Sequence, residues 1–240
     1  MPLKFYAAWY CPFAQRARMA LLHKGLAFEY VEVDPYRKSQ WWLDISLNRA
    51  KVPVIVTLAG EETGTTTVID STRILEYLED RTPDINPLFP GDPNDRAELR
   101  FWIDHINERV VPYVYRYLEA EQPGEYRDKS RAALLEGVRA LSDAMSPTGP
   151  FFSGTALTAI DLLMIPFTYR IDALLGHYRN FSIPTTGVTW SRFQRWYESM
   201  CATDIFRATS TKHADYRARL IEFYLPYSRG RGQQDVMQVP

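Results

Sequence analysis

Sulfur chemistry is scarce in this chain: Cys11 and Cys201 are its only cysteines. Two cysteines cannot build a disulfide framework, which points to a reducing compartment, with the cytoplasm as the expected location. An excess of charge of either sign is missing as well. Lys and Arg number 28 against 29 Asp and Glu, for a formal net charge of −1. Nucleic acid and acidic membrane surfaces reward a basic surplus, so neither is expected as a partner. No apolar run is long enough to span a bilayer. The opening Met1-Pro2-Leu3-Lys4-Phe5-Tyr6 lacks the apolar core of a signal peptide. Strand-like sequence begins almost at once, so no transit peptide is expected either. No internal repeat is visible, and no set of metal ligands is assigned.

What is present is ample core material. With 240 residues and 46% hydrophobic content, the chain suits one large domain or two small ones. The first eighty or so residues alternate between strand and helix patterns. Leu3 to Ala7 reads as a strand, and Pro12 to Lys24 as a helix with Phe13, Ala17, Ala20 and Leu21 on one face. Gly25 stands where a helix wants its C′ residue. Phe28 to Val33 alternates with period two and reads as a second strand. Gln40 to Ile45 reads as a short helix, Val54 to Leu58 as a third strand, and Gly60 to Gly64 as a turn. Thr66 to Ile69 then forms a fourth strand paired with the third, and Asp70-Ser71 opens a helix carrying Ile74, Leu75 and Leu78. The expected order is βαβ(α)ββα over residues 1–82.

Pro83, Pro87 and Pro90, with Pro93 just beyond, mark residues 83–92 as the linker. From 93 to 228 the pattern is helical. Leu99, Trp102, Ile103, Ile106 and Val110 form one apolar stripe, which Val110-Val111-Pro112 should kink or end. Leu134, Leu135, Val138 and Leu141 form another. Leu157-Thr158-Ala159-Ile160-Asp161-Leu162 is a helix start: Thr158 as N-cap, Asp161 reaching back to its amide, Leu157 stapled to Leu162. Later helices are expected over Ser191 to Met200 and His213 to Tyr224. The polar tail 229–240 is expected to be poorly ordered.

Three positions carry chemistry. Cys11 follows the first strand and precedes Pro12, a residue favoured at the first helical position. A side chain there faces unpaired amides and the positive end of the helix dipole, both of which favour a thiolate over a thiol. The bland alternative is a small buried residue at a strand end. Ala14 stands where a thioredoxin-type Cys-x-x-Cys would carry its resolving thiol, so an external thiol must resolve any mixed disulfide formed on Cys11. Cys201 has no such context and reads as core filler.

Val52-Pro53 precedes the third strand. A cis peptide there would turn the Val52 backbone outward to pair with an extended peptide; the alternative is an ordinary trans proline at a strand's first residue. Asp70-Ser71 lies between a strand and a helix. Amides at that helix start, with the Ser71 hydroxyl, can hold a carboxylate, and Asp70 can hold an ammonium group. A γ-glutamyl group presents both charges on one carbon. Plain N-capping is the competing account.

In this order the three motifs resemble the cytosolic glutathione transferases, and the resemblance runs over nearly the whole chain. Tyr10-Cys11-Pro12-Phe13-Ala14-Gln15-Arg16 is similar to the omega-class signature, in which cysteine replaces the tyrosine or serine of conjugating classes. Val52-Pro53 resembles the family's cis-proline element, Asp70-Ser71-Thr72-Arg73-Ile74-Leu75-Glu76-Tyr77-Leu78 its acid–serine motif, and Thr158-Ala159-Ile160-Asp161 the capping box of a core helix. The resemblance implies an α/β thioredoxin-like N-terminal domain plus an all-α C-terminal domain, usually assembled as a homodimer.

It further implies glutathione as cosubstrate, with Cys11 as nucleophile and Phe13 as a wall beside the tripeptide. The Val52 backbone before Pro53 would meet the cysteinyl unit, and Asp70 and Ser71 the γ-glutamyl charges. Animal omega enzymes carry a lysine where this chain reads Ile45-Ser46-Leu47-Asn48, and Lys51 is the residue assigned here to the glycine carboxylate. The animal enzymes' N-terminal extension is also missing, which places the likeness nearer fungal or bacterial omega-like branches.

The activity this implies is thiol transfer: removal of glutathione from mixed disulfides or conjugates, with dehydroascorbate reduction as a further use of the same thiolate. The cosubstrate would be a hydrophobic or aromatic small molecule in a detoxification role. The competing expectation is a ligand-binding protein with little turnover, since 14% of residues are aromatic. Trp9, Trp102, Tyr113 and Tyr117 are the candidates for lining a hydrophobic acceptor site near the domain cleft.

Overall fold

Leu3, Phe5, Tyr6 and Ala7 are all buried, which is the mark of a central strand covered on both faces. In a computed structural model that describes residues 3–58, 65–210 and 214–231, this segment is β1 (Leu3–Ala7), in the middle of a four-stranded sheet of order β2-β1-β3-β4. β2 (Glu29–Glu32) runs parallel to β1, with Lys4 opposite Glu29 and Ala7 opposite Glu32. β3 (Val54–Leu58) is antiparallel to β1, and β4 (Thr65–Ile69) is antiparallel to β3. This is the thioredoxin-like arrangement expected from the sequence. The expected Gly60 to Gly64 turn lies outside the described residues.

Three helices complete this first unit, which spans Met1–Leu88. α1 (Pro12–His23) buries Ala14, Ala17, Met19, Ala20 and Leu21. It ends where Gly25 takes φ +62 and donates its N–H to Leu22 O at 3.0 Å, a left-handed exit that glycine makes at no steric cost. α2 (Gln40–Ile45) is capped by the Ser39 hydroxyl on the Trp42 amide. α3 (Ser71–Arg81) lays Ile74, Leu75 and Leu78 into the core.

The boundary between the two units falls inside the proline-rich segment 83–92. Residues up to Leu88 belong to the first unit, and Phe89 opens the second. The physical reason is a buried ion pair. Lys24 Nζ lies 2.8 Å from Glu79 Oε2, with their side chains 0% and 5% exposed. The same ammonium donates to the carbonyls of Thr82 at 3.0 Å and Ile85 at 2.9 Å. Glu79 in turn accepts from the Leu88 amide at 2.9 Å. One charged pair thus holds 82–88 against the ends of α1 and α3.

The second unit, Phe89–Pro240, is helical. α4 (Pro93–His105) starts on a capping box formed by Asp92 and Asp95. The expected kink ahead of Pro112 takes the form of a π turn over Ile106–Val110, after which α5 (Val111–Glu119) continues. A proline lacks the N–H for the i−4 bond and crowds that carbonyl, and a widened turn relieves both defects. α6 (Glu125–Asp143) packs so closely on this turn that a Cβ on Gly137 would sit 2.5 Å from Arg109 O. Gly137, Leu134, Val138 and Leu141 are buried, whereas Leu135 of the expected stripe is only half-buried.

α7 (Ala159–Arg170) opens as expected, with Asp161 Oδ2 accepting the Thr158 amide at 2.8 Å. Asp161 is buried and also accepts from the Phe152 amide and the Trp196 indole, each at 2.8 Å. A second π turn, Ile171–Leu175, leads into α8 (Gly176–Arg179). α9 (Val188–Ala202) is longer at both ends than its expected span, and α10 (Asp204–Ser210) was not anticipated. α11 (Tyr216–Phe223) replaces the span expected from His213, which lies outside the described residues, and α12 (Leu225–Ser228) follows. Of the expected tail, Arg229 to Arg231 fold back on α12, with Arg231 N–H donating to Pro226 O at 2.9 Å; 232–240 lie outside the described residues. Among the described residues no helix is long and apolar enough to cross a membrane.

The Lys24–Glu79 pair generates the first prediction. Removing one partner of a buried pair strands the other charge without water, at a cost of roughly 3–5 kcal/mol. Glu79→Ala is expected to lose stability on that scale in urea unfolding. A loss below about 1 kcal/mol, the value of an exposed pair, would refute the anchoring role.

Candidate active site

Cys11 owes its position to two strands. β1 delivers the chain to a turn closed by Cys11 N–H on Ala8 O at 2.9 Å. Glu32 at the end of β2 then fixes the approach, with Oε1 accepting the Trp9 amide at 3.0 Å and Oε2 the Tyr30 hydroxyl at 2.6 Å. Burial first and that bond second push the Tyr30 phenol well above its usual range, so it stays a donor. Pro12 occupies the first helical position of α1, and Cys11 is the N-cap.

The Cys11 side chain is half-buried. Its Sγ accepts the Ala14 amide at 3.5 Å and stands 3.9 Å from the Val52 carbonyl, to which a thiol S–H donates. Ionisation forfeits the second bond and strengthens the first, because an amide donor prefers a charged acceptor. The Val52-Pro53 peptide is cis. The structure therefore brings the first two sequence motifs into contact.

The third motif sits at the start of α3. Asp70 has φ +73, a left-handed conformation that few residues other than glycine adopt. Its Oδ1 accepts the amides of Thr72 at 2.9 Å and Arg73 at 3.2 Å. This revises the expected division of labour, because those two amides serve Asp70 itself. The Ser71 hydroxyl and the second Asp70 oxygen are what the helix start offers a ligand.

Beneath them lies Arg16, 1% exposed, with Nη1 donating to Ser71 Oγ at 3.4 Å and its guanidinium carbon 5.1 Å from the Phe13 ring centroid. Arginine has no acceptor. Ser71 must therefore present a lone pair to Arg16 and turn its own proton elsewhere, which suits a carboxylate.

A cavity of about 280 Å³ joins these pieces, lined by Phe13, Arg49, Lys51, Val52, Pro53, Ile69, Asp70 and Ser71. All the expected glutathione-site residues are in this lining, and Cys11 adjoins it through Val52. Arg49 is the residue the sequence reading missed; its place two residues before Lys51, just ahead of Val52-Pro53, was the available signal. Two cations and one carboxylate in the lining suit a ligand with more carboxylates than ammonium groups.

The four aromatic candidates are not among the lining residues. Trp9, in the first unit, packs edge-on against Tyr10. In the second unit, Trp102 contacts Phe101, His105 and Phe152, and the Arg116 guanidinium covers the Tyr113 ring at 5.0 Å. Tyr117 is a correction: it is 3% exposed and packs edge-on against Phe181, which makes it a core residue of its own unit. Cys201 is half-buried on α9, and burial pushes its thiol up to about 11.

The chain is similar to known proteins over both units. A family model described as the glutathione S-transferase N-terminal domain matches residues 10–81, and one described as the glutathione S-transferase C-terminal domain matches 124–199. Glutathione S-transferase U2 of Arabidopsis thaliana is 29% identical over 92% of this chain and 94% of its own. Glutathione S-transferase DHAR2 of the same plant is 31% identical over 72% and 73%. Among solved structures, glutathione transferase Omega 3C from Trametes versicolor superposes with a TM-score of 0.77 at 30% identity, covering 93% of this chain and 90% of that one. Rice OsGSTU1, solved in complex with glutathione, gives 0.78 at 25% identity, covering 96% and 98%.

The two thiols differ in a way alkylation can read. With its thiol pushed up to about 11, Cys201 holds about one thiolate in ten thousand at neutral pH. Iodoacetamide at neutral pH is expected to modify Cys11 first. Labelling of Cys201 should rise only as pH climbs toward its raised value, or on unfolding. Equal neutral rates by peptide mass spectrometry would contradict this.

Proposed function

Since the chain belongs to the glutathione S-transferase family, with glutathione as cosubstrate, we propose that it is an omega-like thiol transferase with Cys11 as nucleophile. The observation that carries the reading is the sulfur itself. Cys11 caps α1, accepts the Ala14 amide and adjoins the Val52 carbonyl at the edge of the cavity. A helix N-terminus lowers the cost of a thiolate. The kinship with Omega 3C supports the class.

The reaction proceeds by two exchanges. The Cys11 thiolate attacks the glutathione sulfur of a mixed disulfide, forming a Cys11–glutathione disulfide and expelling the acceptor thiolate, which takes a proton from water. A second glutathione thiolate attacks the glutathione sulfur of that intermediate. Oxidised glutathione leaves and the Cys11 thiolate returns. Ala14 in place of a resolving cysteine makes the second glutathione necessary. Reductive cleavage of conjugates and dehydroascorbate reduction draw on the same thiolate. Conjugation is disfavoured, because a cysteine captures glutathione covalently instead of activating its thiol.

Within this reading the cavity holds the tripeptide backbone-on at Val52. The γ-glutamyl ammonium meets Asp70, its carboxylate meets the Ser71 hydroxyl, and the glycyl carboxylate meets Arg49 and Lys51. Phe13 walls the site. The helical unit supplies a hydrophobic or aromatic acceptor site, with Trp102 and Tyr113 its candidates. The protein acts as a homodimer in the cytoplasm.

Cys11→Ser tests the proposal directly. It is expected to lose thiol transfer from a glutathione mixed disulfide by more than about a hundredfold, since a hydroxyl is far from ionised at neutral pH. Wild-type protein treated with oxidised glutathione should carry one glutathione on Cys11 and none on Cys201. Full turnover in the serine variant, or an adduct confined to Cys201, would overturn the assignment.

A further inference from the structure

The segment between α2 and β3 carries an unusual load of backbone strain. Leu47, Asn48 and Ala50 have φ of +51, +61 and +50. Each left-handed non-glycine residue costs on the order of 1 kcal/mol or more. Asparagine adopts this conformation readily, but leucine and alanine do not. Leu47 is 52% exposed, so burial of its side chain does not explain the choice.

One buried hydroxyl holds the loop. Ser46 is 0% exposed; its Oγ donates to Trp42 O at 2.6 Å and accepts the Ala50 amide at 3.0 Å. Ser46 O also accepts the Arg49 amide at 3.0 Å, and the Asn48 amide reaches back to Leu43 O at 2.7 Å. The loop is thus stitched to the end of α2, and Trp42 beneath it is 1% exposed in the core formed with Tyr6, Val33, Val54 and Val56. What the stitched loop presents at the cavity is Arg49 and Lys51, both exposed residues. Long cationic side chains on a loose loop lose rotamer and backbone freedom on binding; a loop already fixed has less to lose.

We propose that Ser46 is a positioning residue for glutathione selectivity. Its hydroxyl clamps the 46–51 loop so that Arg49 and Lys51 are pre-set to receive the glycyl carboxylate. This rests on the cavity being the glutathione site. Ser46 touches neither the ligand nor Cys11, and its effect falls on recognition of one charge and not on the chemical step.

The test compares glutathione with its glycyl ethyl ester, which differs at that carboxylate alone, in steady-state thiol transfer and in equilibrium binding. Wild type is expected to favour glutathione by roughly tenfold, the worth of one charged hydrogen bond. In Ser46→Ala that preference should collapse toward unity through a higher KM for glutathione, with the ester's KM and kcat at saturation unchanged. Because Ser46→Ala leaves the Ala50 amide without its partner, Ser46→Cys, which keeps a side chain of similar shape and weakens both hydrogen bonds, serves as the second variant. It is expected to lose much of the preference through a higher KM for glutathione, with a smaller drop in Tm than Ser46→Ala.

The proposal is overturned if wild type does not distinguish the ester, if both variants keep the wild-type preference, or if kcat falls with KM unchanged. Failure of wild type to take up glutathione on Cys11 would instead defeat the reading of the site itself.

Discussion

The contact between the Cys11 sulfur, the Ala14 amide and the Val52 carbonyl organises the first unit's chemistry. Three elements must agree for it to exist. β1 has to end where the sulfur can cap α1, α1 has to begin on a proline that leaves its first amides open, and the chain entering β3 has to turn a carbonyl toward α1. The sheet enforces the agreement, since β1 and β3 are neighbours and pair antiparallel from Leu3 against Thr57 to Tyr6 against Val54. That register brings the start of β3 beside the end of β1, which is where both motifs lie.

Around this contact the unit separates its charges by task. Asp70 is tied to its own helix, Arg16 is sealed beneath Phe13 and Ser71, and Arg49 and Lys51 stand at the rim. Buried charge fixes geometry, and rim charge remains available to a ligand. Lys24 and Glu79 follow the same division: they are far more costly to bury than any apolar pair, and what they secure is the course of a segment that has few side chains of its own to pack.

Much of this was legible in the sequence, because short motifs with a mechanism dominate the first unit. Cys11-Pro12, Val52-Pro53 and Asp70-Ser71 each state a backbone requirement, and the strands between them alternate clearly. What escaped was set by neighbours distant in sequence. Ser46 reads as an unremarkable polar residue until Trp42 and Ala50 close on it. Arg16 reads as a surface position of an amphipathic helix, yet it is buried against a residue 55 positions later. In the helical unit, α10 lies within a stretch of mixed polarity, and the π turn over Ile106–Val110 answers to Pro112 and to close packing at Gly137. Periodicity reported where α6 is apolar, but not that its tightest contact needs the one residue without a side chain. Tyr117 likewise could not be told from a pocket aromatic by composition, since only its contact with Phe181 decides the matter.

The anchoring of residues 82–88 bears on where this chain can be divided. A shortened protein ending at Arg81 keeps every strand and helix of the first unit, yet it removes both carbonyls that accept from the Lys24 ammonium and the amide that donates to Glu79. The severed unit would then keep the Lys24–Glu79 pair but strip the ammonium of two of its three partners. The natural place to cut is after Leu88, seven residues beyond the last turn of α3, where the polypeptide has finished settling its own electrostatic accounts.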